Sequence, residues 1–339
     1  MNQICISIFK FSFHSFLKFL ISLNFLLCIS ISYSADSYPG RTIRLLTPLA
    51  AGSAGDGLAR TLSNELTKRI GQNIIVENKP GAGGTIAMAE LARATPDGYT
   101  LGFTFTGGMV FNMALYNKPG FDGGSDFAPI ALVSGLTNVL VVPESSPYKS
   151  FAELLEAIKS KPANTFSYSS SGSGSSHHIS GVVFENLTGT KILHVPYKSA
   201  PQGVMAVITS EVDFGFYNLP VVINQIRTGR LRAFGVSTLQ RSAQLPQVPT
   251  LVELGVKDYE VFTWLGIVAP KKTPSSIVNK INSELSEIMA TKEIRDKLNS
   301  QGYDLPPNPL GSPQSFEKII QDDIKKWPPI IRAAGAQAD

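Results

Sequence analysis

The sequence predicts an α/β protein of two Rossmann-like lobes joined by two crossing strands, with a ligand cleft between them. Three observations predict it. Short β-rich runs alternate with helical patterns along most of the chain, the signature of helices layered on a largely parallel sheet. Three of the strand runs end in small-residue loops that lead into helices. Two apolar, β-branched segments, 137–143 and 262–270, are placed to cross between the lobes.

Taken in order, residues 42–47 (TIRLLT) read as a strand, and 56–70 as a helix with Leu58, Leu62, Leu66 and Ile70 on one face. Strand 73–77, helix 85–94 and strand 99–105 follow and begin the first lobe. From Asn138 a second series runs through strand 139–142, helix 151–159, strand 165–168, helix 176–187, strand 192–196, helix 201–210 and strand 213–217. It continues with a helix over 221–228 and a strand over 231–237. Strand 262–269 then precedes a helix from Ser275 with a stripe of Val278, Ile281, Leu285 and Ile288. The last helix, 313–326, is expected to stop before Pro328 and Pro329. The first lobe thus comprises 35–138 plus 264–339, the second 139–263.

Residues 1–34 stand apart. They hold no acid, two lysines (Lys10 and Lys18) and an apolar stretch over 19–31, which predicts a cleaved secretory signal cut at Ser34/Ala35 and hence a periplasmic protein. Removing them leaves 305 of 339 residues, and takes two of 30 basic residues against 26 acidic, so the net charge falls from +4 to +2. Both cysteines, Cys5 and Cys28, leave as well, which excludes disulfides, cysteine metal ligands and thiol nucleophiles from the exported chain. A 43% hydrophobic share excludes a disordered chain, and no later apolar run is long enough to make a multi-span membrane protein. With no Lys/Arg cluster, nucleic acid is not an expected partner.

The chemistry is expected at the loops. The first runs over 48–57 (PLAAGSAGDG), the second over 80–85 (PGAGGT), and the third over 169–178 (SSSGSGSSHH). Each aims backbone N–H groups and a positive helix end at the strand tips, where a carboxylate would bind. Nucleotide motifs fail: Leu58 stands where a Walker loop needs Lys, and Ile86 where a dinucleotide fingerprint needs its third Gly. Asp56 reads first as the N-cap of the first helix. Thr104, Thr106 and Gly107 close another strand, Tyr197 and Lys198 follow a strand of the second lobe, and Trp264 is cleft wall or core, core being preferred. Catalysis is poorly supported. Ser175 or Ser176 with His178 would be the only hydrolase constellation, without G-x-S-x-G, and neither H-E-x-x-H nor cysteine supports zinc. No cofactor, metal site or catalytic residue is predicted.

Across nearly the whole exported length the sequence resembles the extracytoplasmic solute receptors of tripartite tricarboxylate transporters, the Bug-type receptors. The matching stretches are YPGRTIR (38–44), VENKPGAGG (76–84), PDGYTL (96–101), residues 168–178, HVPYK (194–198) and VPT (248–250). The resemblance implies a periplasmic binding protein fold that closes on a small carboxylate like a Venus flytrap, a monomer whose partners are that ligand and the membrane permease subunits. A ligand-presenting sensor for a membrane histidine kinase is the alternative. The resemblance implies that Ala50, Ala51, Gly52 and Ser53, with Gly81, Ala82, Gly83 and Gly84, grip the carboxylate through amides and water. Ser170, Gly172, Gly174, Ser175, Ser176 and His178 would contact it from the second lobe. Where family members often carry an acid before Asn-Leu-Pro, this chain has Tyr217 before Asn218, and both are expected in the site, Tyr217 favouring an aromatic or less amino-substituted ligand.

Overall fold

The computed structural model describes residues 38–306 and 310–333, so the expected signal and its cleavage point lie outside the described residues. The elements below all belong to one contact unit, Arg41–Asp339. Strand β1 (Ile43–Thr47) is buried along nearly its whole length, as a parallel strand under helices must be. Helix α1 (Ala54–Ile70) buries Leu58, Ala59, Leu62 and Leu66 and stops at Gly71, whose φ of 70° is the left-handed end that glycine tolerates. Next come β2 (Ile74–Asn78), α2 (Thr85–Ala92) and β3 (Thr100–Phe105). A π-helical turn, Gly107–Phe111, leads from β3 into α3 (Asn112–Leu115).

Then follow β4 (Phe127–Pro143), α4 (Phe151–Ser160), β5 (Ser167–Ser170), α5 (Ser176–Thr188), β6 (Leu193–Pro196), α6 (Ala200–Ile208), β7 (Phe214–Asn218), α7 (Leu219–Arg227) and β8 (Leu231–Val236). The chain continues through β9 (Phe262–Pro270), α8 (Ser275–Ala290), α9 (Lys292–Ser300) and α10 (Pro313–Ala333). The strands order as β2-β1-β3-β9-β4-β7-β5-β6, with β8 also on β4. β1 is parallel to β2 and β3, whereas β9 runs antiparallel to β3 and β4. In the other half β5 is parallel to β6 and β7.

β4 carries the connection between the two halves. Residues 127–137 pair with β9, and residues 138–143 pair with β7 and β8, all antiparallel. Register shifts at Pro129/Ala131, Leu132/Ser134 and Leu140/Val141 mark bulges that bend this 17-residue strand. The expected crossing segment 137–143 is therefore the second part of a strand that begins ten residues earlier. One apolar cluster holds Trp264, Phe316, Phe111 and Trp327, and another packs Val139 and Val141 against Val204, Val207, Leu219 and Val222.

Three local expectations are corrected. The first helix is capped by Ser53, whose hydroxyl accepts the Asp56 amide, so Asp56 lies inside the first turn. Helix α10 does not stop at residue 326 but continues through Pro328 and Pro329. Prolines there remove two intrahelical donors. The turn is held because Trp327 and Ile331 are buried on either side of them, Trp327 edge-on to Phe111 with ring centres 5.3 Å apart. Finally, 107–115 and Lys292–Ser300 are helical where no helix was expected.

Candidate functional site

The loops after β1, β2 and β5 are brought together around the short helical turn that follows β3. A Cβ placed on Gly84 would lie 2.9 Å from the Pro48 side chain, which joins the first loop to the second. One on Gly83 would lie 2.9 Å from Asn112 Oδ1. One on Gly174 would stand 2.5 Å from Leu115 and 4.0 Å from that same Asn112 oxygen, and one on Gly107 3.4 Å from the Gly174 carbonyl. Gly172 borders the backbone of Tyr197. Gly83, Gly84 and Gly174 are needed because φ is positive at each and a neighbouring side chain already stands where a Cβ would go.

In the second loop, φ is positive at four consecutive residues: Gly81 (131°), Ala82 (45°), Gly83 (62°) and Gly84 (104°). Ala82 is the costly member, since a Cβ crowds this region by about 1–3 kcal/mol. The conformation is held by Gly84 donating to the Gly81 carbonyl (2.9 Å), Thr85 Oγ1 to the Ala82 carbonyl (3.0 Å) and Asn112 Nδ2 to the Gly83 carbonyl (2.9 Å). Gly81, Ala82 and Gly83 remain exposed, as do Ala50, Ala51 and Gly52 of the first loop. The π-turn that presents Asn112 is a helix irregularity of a kind frequent at functional sites.

The expectation of free amides does not hold for all three loops. The Gly52 amide donates to Asp56 Oδ2 (2.9 Å). In the serine loop, Gly172 donates to Ser170 Oγ (3.0 Å), Gly174 to His178 Nδ1 (3.1 Å) and Ser175 to the Gly172 carbonyl (3.2 Å). That loop is braced from within. Ser175 caps α5, its hydroxyl accepting the His178 amide at 3.3 Å and donating to the Gly172 carbonyl at 2.7 Å. Serine–histidine contacts include Ser170 with His194 (2.7 Å) and Ser171 with His177 (2.8 Å). His178 lies flat on His194, ring centres 4.1 Å apart, and His194 stacks on Tyr168.

Beneath the serine loop lies a polar network. His177 is buried, with Nδ1 at Ser171 and Nε2 3.0 Å from Asn218 Oδ1. Asn218 Nδ2 donates to Asn138 Oδ1 (2.6 Å), and Asn138 Nδ2 donates to Ser180 Oγ (2.7 Å) and the Ser176 carbonyl (3.2 Å). Because Asn218 spends its amide on Asn138, its oxygen faces His177, so Nε2 carries the proton and Nδ1 accepts from Ser171. Burial pushes the imidazole down to about 4 against a partial counter-effect of Asn218, which keeps it neutral.

Several expected site residues have other work. Tyr217 is fully buried and donates to Ser169 Oγ (2.8 Å), its ring 4.8 Å from that of His177 and close under Gly203. It belongs to the core, and the expected selectivity against amino groups has no basis there. Asp56 is held by Asn78 (2.8 Å), Arg60 (3.0 Å) and the Gly52 amide. Burial pushes its carboxyl up, and those three donors together outweigh it and hold it below the ordinary range. Thr106 Oγ1 accepts the Trp264 amide (2.9 Å), and Trp264 is core, edge-on to Phe316 with Nε1 donating to Asp323 (2.7 Å). The Tyr197 hydroxyl is pushed up to about 12 by burial and by Glu211, to which it donates at 2.8 Å. Lys198 is exposed. Thr104 is buried with its hydroxyl unpartnered, as is Asn112 Oδ1. Asn112 was missed; the available signal was one polar residue in the apolar run GGMVFNMAL.

Two α/β half-sheets sharing a long strand, with glycine loops gathered at the strand ends, define the periplasmic binding protein fold, a class of solute-binding proteins. The chain belongs to the tripartite tricarboxylate transporter family receptors, whose family model matches residues 58–336. A UPF0065 protein from a tcbD–tcbE intergenic region of Pseudomonas is 32% identical over 297 residues, 87% of each chain. Among solved structures, R. palustris Rpa4515 with adipate superposes with a TM-score of 0.82 at 30% identity, covering 89% of this chain and all of that one. MatC from Rhodopseudomonas palustris with bound malate gives 0.80 at 28% identity, covering 87% and 100%. Among the described residues no helix is long and apolar enough to cross a membrane.

Proposed function

We propose that this receptor is exported by a cleaved N-terminal signal, captures a small organic carboxylate between two lobes, and delivers it as a monomer to the membrane permease of a tripartite transporter. The observation that carries the proposal is the convergence of the loops after β2 and β5 on Asn112, with the loop after β1 packed on the second through Pro48 and exposed left-handed backbone at 81–83. Adipate and malate in the two structural neighbours support the ligand class. The first lobe would comprise 35–138 and 264–339 and the second 139–263, with β4 bending as they close. Only a closed form would offer both lobes to the permease in one fixed relation. Binding and release would require no covalent step.

A thermal-shift screen of the purified protein against mono-, di- and tricarboxylates tests this reading. A ligand at a hundred times its dissociation constant adds about 2.7 kcal/mol to stability. Shifts from sugars or cations, with none from any carboxylate, would overturn it. Mass measurement of the protein recovered from a periplasmic extract tests export, an N-terminus at Ala35 being expected.

A further inference from the structure

We infer that Asp304 and Ser237 are the fasteners of the hinge: each holds one backbone amide of β4 at the point where that strand changes partners, and together they set the resting angle between the two lobes. This rests on the two-lobe reading proposed above. β4 pairs with β9 as far as Thr137, opposite Phe262, and with β7 from Asn138, opposite Asn218. At that boundary side chains take over from the ladder. The Thr137 amide donates to Asp304 Oδ2 (2.8 Å), and the next amide, of Asn138, donates to Ser237 Oγ (3.0 Å).

The two acceptors come from opposite sides. Asp304 lies in the stretch assigned to the first lobe and is tied to Gly135 by two backbone bonds, of 2.7 and 3.3 Å. Ser237 lies in the stretch assigned to the second. In a regular antiparallel pair, Asn138 and Ser237 would exchange both backbone bonds. Only the Ser237 amide makes its bond, to the Asn138 carbonyl at 2.9 Å. The Ser237 carbonyl is turned to the Val261 amide (2.9 Å), just before β9, and the hydroxyl stands in for it, donating in turn to the Val261 carbonyl (2.6 Å). Ser237, fully buried, thus joins both crossings between the lobes.

Thr137 and Asn138 are buried as well, so their amides must stay bonded through any motion. A ladder bond fixes two backbones at once, whereas a side-chain oxygen turns about its own torsions and can follow an amide as the backbone rotates. The bulges of β4 differ: each lies within its pairing to a single half-sheet, so each bends the strand without parting one half from the other. The axis therefore passes through residues 137–138 and Val261, a few element-terminal positions of the kind that absorb domain closure.

Double electron–electron resonance on the purified exported chain tests the inference. Both native cysteines lie in the expected signal, so Asn64→Cys on α1 and Lys159→Cys on α4, both exposed, put one spin label on each half. Asp304→Ala is expected to lower the population at the wild-type distance, relative to other distances, about tenfold, as loss of a hydrogen bond to a charged group would. Asp304→Asn, which keeps an acceptor oxygen, should restore most of it, and Ser237→Ala should act like Asp304→Ala. A merely structural role would lower the unfolding midpoint and leave the distances alone. Unmoved distances in folded Asp304→Ala, or no rescue by Asp304→Asn, would overturn the inference. Asp304 is only half-buried and decides the matter even where Ser237→Ala fails to fold. The underlying reading is tested separately on the wild type: a carboxylate that raises the melting temperature yet leaves the label distance in place would overturn lobe closure itself, whatever the variants do.

Discussion

Replacing His177 by glutamine isolates one buried titration. In the folded protein burial holds this imidazole near 4, against an ordinary value of 6.5. The unfolded chain therefore takes up a proton below pH 6.5 that the folded protein refuses until about pH 4. Stability from this residue is full above 6.5, falls as the pH drops through that window, and levels off below it. At about 1.4 kcal/mol per unit, the loss is negligible at pH 7.5 and about 2 kcal/mol at pH 5. His177→Gln also forfeits the hydrogen bonds to Ser171 and Asn218, a cost that does not depend on pH. Urea unfolding followed by circular dichroism at both pH values, for both proteins, separates the two effects. The wild type should lead the variant at pH 7.5, and that lead should shrink by about 2 kcal/mol at pH 5. A lead of the same size at both would refute the argument that His177 is held neutral.

Gly83→Val places a side chain at φ 62° and within 2.9 Å of Asn112 Oδ1, so it should cost about 1–3 kcal/mol and weaken carboxylate binding at least tenfold; a folded variant with unchanged affinity by calorimetry would remove that loop from the site. Tyr217→Phe removes one buried donor while Ser169 Oγ keeps its bond to the Gly203 carbonyl (3.0 Å). It should lower stability by about 1 kcal/mol and leave ligand affinity unchanged, and a tenfold change in affinity would return Tyr217 to the site. Trp264→Phe removes a donor from the half-buried Asp323, leaving Trp327 Nε1 at 3.1 Å as its partner. A loss of about 1–3 kcal/mol in chemical unfolding is expected, and none would show that Asp323 is satisfied without the indole.

The alternation of strands and helices was legible because both periods are strong: Leu58, Leu62 and Leu66 mark one helix face, and each small-residue loop sits at a strand end. What could not be read depends on distant residues. Nothing near Pro328 indicates a helix; the burial of Trp327 and Ile331 against other parts of the chain sustains it. The extent of β4 follows from its pairing with β9, more than 120 residues later in the sequence. Within the site, the glycines announced close packing, and neighbouring side chains do stand where a Cβ would go at Gly83, Gly84 and Gly174. The destinations of their amides were not readable, since His178, Asp56 and Ser170 consume several of them. Nor were the partners of Asp56 and Tyr217 readable, since Asn78 and Ser169 come from other strands, far from them in the sequence.

The place of β9 bears on how the chain reaches its fold when it emerges from its N-terminus. Strands 138–236 of the second half-sheet pair among themselves, so that half can close with residues already at hand. The first half cannot. The β3 residues Gly102, Phe103, Thr104 and Phe105 wait for Val268, Ile267, Gly266 and Leu265, and until then β3 is an apolar edge with open backbone groups. A chain arrested before Phe262 would hold one half-sheet with its strands paired and one with an unpaired apolar edge, the kind of surface on which chains associate.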